Sequence, residues 1–321
     1  MHARVKMKTI PILIILFFGQ ETFAFKAQAD TILFNFTNLR NDRISGQIIL
    51  PQKHKPKTPV LIFLVGSGES SFQTNYKNFL EENFENQLLD SGIALCYFDK
   101  PGIGNSKGKW YQQTFYDRAS DVNDCIAYLR STSYIDPDNI GVVGHSQGGW
   151  VAQLAAAQYP DKINYMISLA GPSYSVKRQL ISDFQSSLIC KGVEELKAQK
   201  QAIEKTNLVF FLSKFFPFSN NLKQLRKIRN YTPEKTISKI KSPTLFLFGE
   251  NDRLVYKEWC IESLNDIFSN KIPAHIQYSV IENVNHSFEI EPFCSDKVKK
   301  DLKYSTQFQK ELKNFIINNV R

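Results

Sequence analysis

The segment VVGHSQGGWVAQLAAAQ (residues 142–158) joins an apolar run to an alanine-rich run of helical spacing through the cluster GHSQGG. Glycine loses more conformational freedom on folding than any other residue, so a simple connector rarely carries three glycines in six positions. We therefore expect this turn to need positive φ angles or a very close approach of the backbone. The pattern Gly144-X-Ser146-X-Gly148, between a strand-like and a helix-like run, is typical of a nucleophilic serine on a tight turn.

Strand-like and helix-like runs alternate on both sides of this turn. The first two strands, TILFNF and SGQIIL, are predicted to form an antiparallel pair around Asn41-Asp42. VLIFLV (residues 60–65) is a continuous apolar run, as expected of a parallel strand buried on both faces. The further predicted strands are IALCYF (93–98), NIGVVG (139–144), YMISLA (165–170), TLFLF (244–248) and residues 274–281. Helical spacing occurs at residues 75–90, 117–130, 147–158, 257–268 and 304–319. This order predicts an α/β fold with a mostly parallel central sheet flanked by helices.

The alternation stops at residues 172–242 and then resumes, which indicates a helical cap inserted after the sixth strand of a domain at residues 30–321. The cap holds fourteen Lys and Arg against five Asp and Glu, and the whole chain has a formal net charge of +9. Such a surplus favours an anionic substrate or surface near the cap, and a solvated helical face explains it equally well. No nucleic-acid-binding motif accompanies it, so no nucleic-acid partner is expected.

The cap contains an apolar stretch, LVFFLSKFFPF (residues 208–218), that has two interpretations. As the core of the cap it would shield the site from water, and this is the interpretation we favour. As an exposed lid it would contact lipid, and the lysines around it would meet anionic head groups. The second interpretation predicts peripheral membrane contact through the basic cap.

The N-terminus has the three-part pattern of a secretory signal peptide. Basic residues at positions 4, 6 and 8 precede the run IPILIILFF, and the small residues Thr22 and Ala24 follow at the spacing of a cleavage site. Ala29 offers a second cleavage site. The apolar run is too short for a bilayer core of about 30 Å, although an uncleaved anchor is the alternative. We expect residues 1–24 to be removed and the protein to be exported, either periplasmic or extracellular.

Five cysteines occur at irregular spacing without a C-x-x-C pair, so no zinc site is expected. Export permits a disulfide. Cys96 and Cys125 lie in strand-like and helix-like runs and are expected in the core, whereas Cys260 and Cys294 are the pair that we would test for a bridge. Because the total is odd, at least one thiol remains free unless two chains are bridged; the fifth cysteine is Cys190.

A serine nucleophile needs a base to activate it and an acid to orient that base. His286 is the candidate base, because NVNHSF follows the last predicted strand and places it at the same sheet edge as Ser146. The other histidines fit less well. His145 points away from the serine on such a turn, His54 lies in a polar basic loop, and His275 begins a strand.

The candidate acid is Asp252, which lies in FGENDRLV after the strand TLFLF and therefore at the same sheet edge. Glu250 and Asp266 are fallbacks, since Glu250 belongs to the turn itself and Asp266 falls within a helix. The candidate nucleophile, acid and base each follow a predicted strand, and their order along the chain is Ser, Asp, His. That combination predicts a catalytic triad of Ser146, Asp252 and His286.

These residues give the chain a resemblance to the α/β hydrolase superfamily that extends over nearly all of the sequence after the N-terminal segment. Within the superfamily, the chain is similar to bacterial serine aminopeptidase-like and esterase-like hydrolases. The likeness rests on VGSGES after the third strand, YFDKPGIGNS after the fourth, and the helical cap after the sixth. Two positions depart from the pattern. Val65 stands where relatives have histidine, which bears on the identity of the oxyanion donor in that turn. Pro101 stands where many relatives have arginine, so the contacts of its loop are expected to differ, and we expect the YFDKPGIGNS stretch to be a structural loop beside the site.

The resemblance implies a serine hydrolase that forms an acyl-enzyme on a small-molecule substrate and needs no metal or cofactor. The N–H of Gln147, at the start of the helix after the serine, is predicted to face the oxyanion. The family pattern implies a second oxyanion N–H in the turn after VLIFLV, at Ser67.

Four functions remain open at this point. The first is an exported carboxylic ester hydrolase. A peptidase that removes N-terminal residues would need an acidic residue in the cap, such as Glu194, Glu195 or Glu204. The basic surplus argues against that peptidase and towards anionic or acyl-thioester substrates, and a non-catalytic binding protein is the remaining alternative.

Overall fold

The computed structural model describes residues 30–53, 56–295 and 302–320. Its centre is an eight-stranded sheet in the order β1-β2-β4-β3-β5-β6-β7-β8. The β1–β2 and β2–β4 pairs are antiparallel, and all other pairs are parallel, which confirms the predicted mostly parallel sheet. The strands are β1 (Asp30–Thr37), β2 (Arg43–Leu50), β3 (Thr58–Leu64), β4 (Ala94–Phe98), β5 (Ile135–His145), β6 (Tyr165–Leu169), β7 (Thr244–Gly249) and β8 (Ile276–Ile281).

Helices cover both faces of this sheet. They are α1 (Lys77–Leu80), α2 (Asn86–Leu88), α3 (Phe115–Ser131), α4 (Gln147–Gln158), α5 (Val176–Ile189), α6 (Glu195–Phe215), α7 (Asn220–Ile228), α8 (Glu234–Ile237), α9 (Lys257–Ile267) and α10 (Thr306–Asn319). None of those in the described ranges is long and apolar enough to cross a bilayer. The predicted signal segment at residues 1–24 and His54 lie outside the described residues.

The two faces of the sheet pack into two apolar cores. Along β3, Val60, Ile62 and Leu64 join one core, while Leu61 and Phe63 join the other. Successive side chains of a strand point to opposite faces, so a strand covered on both faces must be apolar at every position. This requirement explains why the central strands read as continuous apolar runs.

The helix predicted at residues 75–90 is not regular. A π-helical turn at Glu81–Glu85 separates α1 from α2, and a 3₁₀ turn follows at Leu89–Ser91. Phe79, Phe84 and Leu88 are nevertheless buried against β3 and β4. The prediction of a regular helix at residues 75–90 was therefore wrong in its local geometry, because packing of these large side chains overrides the ideal period.

The cysteine pairing differs from the expected one. Cys190, at the end of α5, forms the disulfide with Cys294, and Cys260 is a buried free thiol on α9. Burial raises the pKa of the Cys260 thiol to about 12. The bridge ties the helices after β6 to the loop after β8, a proximity that spacing along the chain cannot reveal.

Residues 172–242 form α5 to α8, which lie between β6 and β7. The apolar stretch at residues 208–218 is only partly a core: Phe210 and Ser213 are buried and Leu212 is half-buried, whereas most of its aromatic side chains are exposed. The preferred interpretation was wrong for four of them, which we call the aromatic patch: Phe211, Phe215, Phe216 and Phe218, between 52% and 76% exposed. Helix α6 is amphipathic only in part, so its end projects aromatic rings into solvent.

Candidate active site

Ser146 occupies the turn between β5 and α4 and has φ 55° and ψ −123°. The positive φ expected in this cluster thus belongs to the serine rather than to a glycine. The glycines answer the second expectation, a close approach of the backbone. A Cβ at Gly144 would meet the carbonyl of Gly148, and a Cβ at Gly148 would meet the carbonyl of Leu64. The strained conformation holds the serine clear of the sheet, which is a recurring property of catalytic turns.

The structure brings His286 and Asp252 together at the same sheet edge. His286 Nδ1 lies 2.7 Å from Asp252 Oδ2. The other oxygen, Oδ1, accepts hydrogen bonds from the N–H groups of Leu254 (2.8 Å) and Val255 (3.0 Å). Three donors therefore fix a carboxylate that is only 3% exposed. In this arrangement Nδ1–H of His286 donates to Asp252, which leaves Nε2 as the basic atom.

The alternative acids and bases have other partners. The Glu250 carboxylate accepts from the N–H of Asn283 (2.8 Å), and Asp266 lies exposed on α9. His275 contacts the carbonyl of Ile240 (3.0 Å), away from the turn that carries the serine.

His145, beside the serine, belongs to a hydrogen-bond chain that sequence reasoning missed. Its Nε2 lies 2.8 Å from the carbonyl oxygen of His286, and its Nδ1 lies 2.7 Å from the hydroxyl of Tyr76. The same hydroxyl accepts from the N–H of Gly66 (3.0 Å). Burial lowers the pKa of His145 to about 3, so the ring is neutral, with Nε2–H donating to His286 and Nδ1 accepting from Tyr76. This chain ties the backbone of His286 to the turn after β3.

The turn after β3 is held by a buried lysine. The ammonium of Lys100 donates to the carbonyl oxygens of Gly66 (2.8 Å) and Gly68 (2.6 Å), which flank Ser67. The Gly66 carbonyl belongs to the same peptide group as the Ser67 N–H. Burial lowers the pKa of Lys100 well below that of an ordinary lysine. The loop that contains Lys100, predicted to be a structural loop beside the site, thus holds the turn that carries the predicted oxyanion donor.

Arg118 on α3 connects the two turns that carry the predicted oxyanion donors. Its guanidinium donates to the Val65 carbonyl (2.8 Å) and to Oε1 of Gln147 (2.9 Å). Gln224 of α7 donates to the same Oε1 (3.3 Å). Burial lowers the pKa of Arg118 to about 10, so it is positively charged at neutral pH. The arginine therefore adds a fixed positive charge behind both turns.

Two cavities meet at Ser146. The first, which we call the cap cavity, has a volume of about 440 Å³ and also contains Ser67 and Gln147. Helices α5, α6 and α7 provide most of its walls, chiefly through apolar side chains. The second, the histidine cavity, has a volume of about 310 Å³ and contains His286 and Tyr76. A substrate bound across Ser146 would thus place its two halves in different cavities.

Two family models match the chain. One is described as BAAT / Acyl-CoA thioester hydrolase C terminal and matches residues 122–308, more than half of the chain. The other is described as X-Pro dipeptidyl-peptidase (S15 family) and matches residues 41–185. The first match includes all three residues of the predicted triad.

Similar proteins include hydrolases and thioesterases. Serine hydrolase BPHL of Homo sapiens is 22% identical over 200 residues, which cover 60% of this chain and 62% of that protein. Palmitoyl-protein thioesterase ABHD10, mitochondrial, of Homo sapiens is 30% identical over 145 residues, 44% of each chain. The chain spans less than two thirds of the length of the curated relatives that it matches.

Solved structures with a similar fold include two esterases. The Pyrococcus furiosus esterase Pf2001 aligns with a TM-score of 0.62 at 16% identity, covering 91% of this chain and 92% of that one. Est1E from Butyrivibrio proteoclasticus, with ferulic acid bound, aligns with a TM-score of 0.58 at 16% identity, covering 88% and 98%. At this identity the likeness shows the fold.

Proposed function

This chain is a serine hydrolase of the α/β hydrolase superfamily and belongs to the BAAT / acyl-CoA thioester hydrolase C-terminal family, and we propose that it cleaves carboxylic esters through an acyl-enzyme on Ser146. The observation that carries the proposal is the 2.7 Å contact of His286 with Asp252 beside a serine on a strained turn. The proposed roles are Ser146 as nucleophile, His286 as base and Asp252 as the acid that orients it.

In the proposed reaction, Nε2 of His286 takes the proton from Ser146 as the hydroxyl attacks the acyl carbon. The negative charge that develops on the carbonyl oxygen lies between the N–H groups of Gln147 and Ser67. His286 then gives its proton to the departing alcohol. Water repeats the cycle on the acyl-enzyme and releases the acid, and Asp252 stabilises the imidazolium in both halves.

The neighbouring histidine supports this assignment by staying uncharged. The pKa of His145 is lowered to about 3 by burial and by the charge of His286. At the pH where the reaction runs, His145 therefore adds no second positive charge beside the imidazolium. It keeps its hydrogen bond to the His286 carbonyl throughout.

Acyl thioester hydrolysis is the second candidate function. The BAAT / acyl-CoA thioester hydrolase match and the similarity to a palmitoyl-protein thioesterase favour it. The peptidase alternative loses its three predicted cap acids, because Glu194, Glu195 and Glu204 do not line the cap cavity and Glu194 instead caps α6, although another cap carboxylate, Asp183, does line it. The thioester alternative shares the same nucleophile and acyl-enzyme, so substrates rather than active-site variants must separate the two.

A substrate panel tests the proposed reaction. It comprises p-nitrophenyl esters from acetate to palmitate, acyl thioesters of matched chain length, and aminoacyl p-nitroanilides. We expect esters to have the highest kcat/KM, with an optimum in chain length set by the cap cavity. A preference for thioesters or anilides at equal acyl group would replace the ester assignment. Absence of turnover together with no labelling by a fluorophosphonate would indicate a non-catalytic binding protein.

We propose that the protein is exported, as the signal-like N-terminus predicts. The Cys190–Cys294 disulfide supports this proposal, because disulfides persist mainly in oxidising compartments. Mass spectrometry of the intact protein recovered from the periplasm or the medium tests this proposal. A chain that begins after Ala24 or Ala29 is expected, and a full-length chain retained in the cytoplasm would contradict export.

We propose, finally, that the basic cap meets an anionic membrane surface rather than an anionic substrate. None of its lysines or arginines is among the residues that line the cap cavity. Lys214 is instead exposed beside the aromatic patch, and its ammonium lies 4.9 Å from the ring centre of Phe215. Lys223 and Lys227 are exposed on α7. Exposed rings beside lysines are the composition of an interfacial membrane contact.

Vesicle sedimentation tests this contact. Binding to vesicles that contain phosphatidylglycerol is expected to exceed binding to phosphatidylcholine vesicles and to weaken at high salt. Changing the four residues of the aromatic patch to serine should lower the partition coefficient at least about tenfold, because their apolar area drives insertion. Leu39→Ser is the control, because it alters an exposed apolar residue outside the cap, in the turn between β1 and β2. Equal binding of both variants would contradict the proposal.

A further inference from the structure

The cap cavity contains one charged side chain among its described lining residues, the carboxylate of Asp183. The cavity is otherwise lined by apolar and neutral polar groups. Asp183 lies on the cavity face of α5, one turn beyond Gln179 and Leu180 and two turns beyond Val176, all of which line the same wall. Residues at these spacings share one face of a helix, so the carboxylate points along the wall into the space where Ser146 opens.

The Asp183 carboxylate is unpaired among the residues that the structure describes. Within the described ranges Asp183 makes neither a hydrogen bond nor an ion pair, although Lys205, Arg253 and His286 attract it at longer range. The ammonium of Lys205 lies instead over the ring of Phe184, 4.2 Å from its centre. Burial raises the pKa of the Asp183 carboxyl. A half-buried carboxylate without a partner costs stability, and a cation supplied by a ligand would offset that cost.

The geometry also indicates which half of the substrate would carry this cation. His286 protonates the leaving group in the proposed reaction, and it lines the histidine cavity. The leaving group therefore departs through the histidine cavity, and the acyl group occupies the cap cavity. Asp183 lines only the cap cavity of these two.

We propose that the cap cavity selects acyl groups that carry an ammonium cation, with Asp183 as the residue that pairs with it. This inference rests on the proposed ester hydrolysis and names its substrate class. The apolar wall of α6 and α7 contacts the chain between the acyl carbon and the cation. Asp183 binds substrate and takes no part in bond breaking.

Matched esters test the pairing. The p-nitrophenyl ester of 4-(trimethylammonio)butanoate carries a fixed cation, and the ester of 5,5-dimethylhexanoate is its neutral isostere with a carbon in place of nitrogen. We expect the wild-type protein to prefer the cationic ester in kcat/KM. Asp183→Asn should reduce that preference about tenfold and leave the neutral ester within about twofold, because only the charged contact is lost.

Glu204→Gln is the matched control, since it neutralises an exposed carboxylate on α6 that does not line the cavity. Labelling of Ser146 by a fluorophosphonate shows that each variant is folded and active. If Asp183→Asn hydrolyses both esters with the wild-type preference, the cation inference is overturned and the proposed function stands. If the wild-type protein hydrolyses neither ester and is not labelled, the proposed function fails and this inference fails with it.

Discussion

Ser146→Ala is expected to lower kcat for the best ester by about 10⁶, which is the loss seen when a serine protease triad loses its nucleophile. The variant should still bind substrate, because the cap cavity and the backbone N–H groups of Gln147 and Ser67 do not depend on the serine hydroxyl. KM should therefore change little compared with kcat. Stopped assays on the p-nitrophenyl ester panel, with detection of the released acid, measure the residual rate.

The triad acts as a unit, which makes a second set of variants informative. His286→Ala should cost about as much as Ser146→Ala, whereas Asp252→Asn should cost about 10⁴, since it leaves the base in place but favours the wrong tautomer. The double variant of Ser146 and His286 should be no worse than either single one. Additive losses would mean that the residues act separately and would contradict the proposed mechanism.

Ser187→Ala provides the control, because Ser187 is an exposed serine on α5 outside both cavities. It should retain wild-type kcat and fluorophosphonate labelling. If a fluorophosphonate labels Ser146→Ala at the wild-type rate, the reactive serine lies elsewhere, and Ser146 is not the nucleophile.

The sheet, and the position of the three candidate residues at one sheet edge, were predictable because both depend on short-range patterns. Each buried parallel strand is a continuous apolar run, and the residue that follows it lies at one edge of the sheet. His286 and Asp252 follow β8 and β7, so the order of strands was enough to bring them together at one sheet edge, where His286 and Ser146 line the same cavity.

The residues that hold the site were not predictable, because their contacts join distant parts of the chain. The Tyr76 hydroxyl meets a ring 69 positions away at His145, and Lys100 reaches carbonyls 34 and 32 positions before it. Nothing in a local pattern distinguishes such a lysine from a solvated one. Its position inside the motif YFDKPGIGNS, between a buried strand and a glycine-rich turn, was the one available signal.

The disulfide shows the same limit. Cys190 and Cys294 are 104 positions apart, and one of them ends a helix whose packing no periodicity specifies. Cys260 was the predicted partner of Cys294, yet α9 buries it as a free thiol in an apolar core. Pairing of cysteines depends on the three-dimensional path of the chain, which the alternation of strands and helices determines only in outline.

Lys100→Met is expected to lower kcat by up to about 10² to 10³ while KM changes little. That is the range for loss of one oxyanion donor, and Lys100 acts through such a donor. Its ammonium holds the Gly66 carbonyl, and the N–H of the same peptide group is the one on Ser67. Methionine has a similar length but neither a charge nor a hydrogen-bond donor. In the variant this peptide group therefore lacks the ammonium that orients it and that withdraws electron density from its N–H. The ester that is turned over fastest by the wild-type protein is the substrate for this comparison.

Lys107→Met is the matched control, because Lys107 is an exposed lysine seven positions further along the same loop region. A pH profile separates orientation of the oxyanion turn from a general loss of stability. Since burial lowers the pKa of Lys100, the wild-type kcat should fall on the alkaline side at a lower pH than an ordinary lysine would cause, as the ammonium loses its proton. Lys100→Met should lack that alkaline decline. If Lys100→Met keeps the wild-type kcat and only melts at a lower temperature, Lys100 stabilises the loop alone, and the Ser67 peptide keeps its orientation through the Gly66–Tyr76 hydrogen bond.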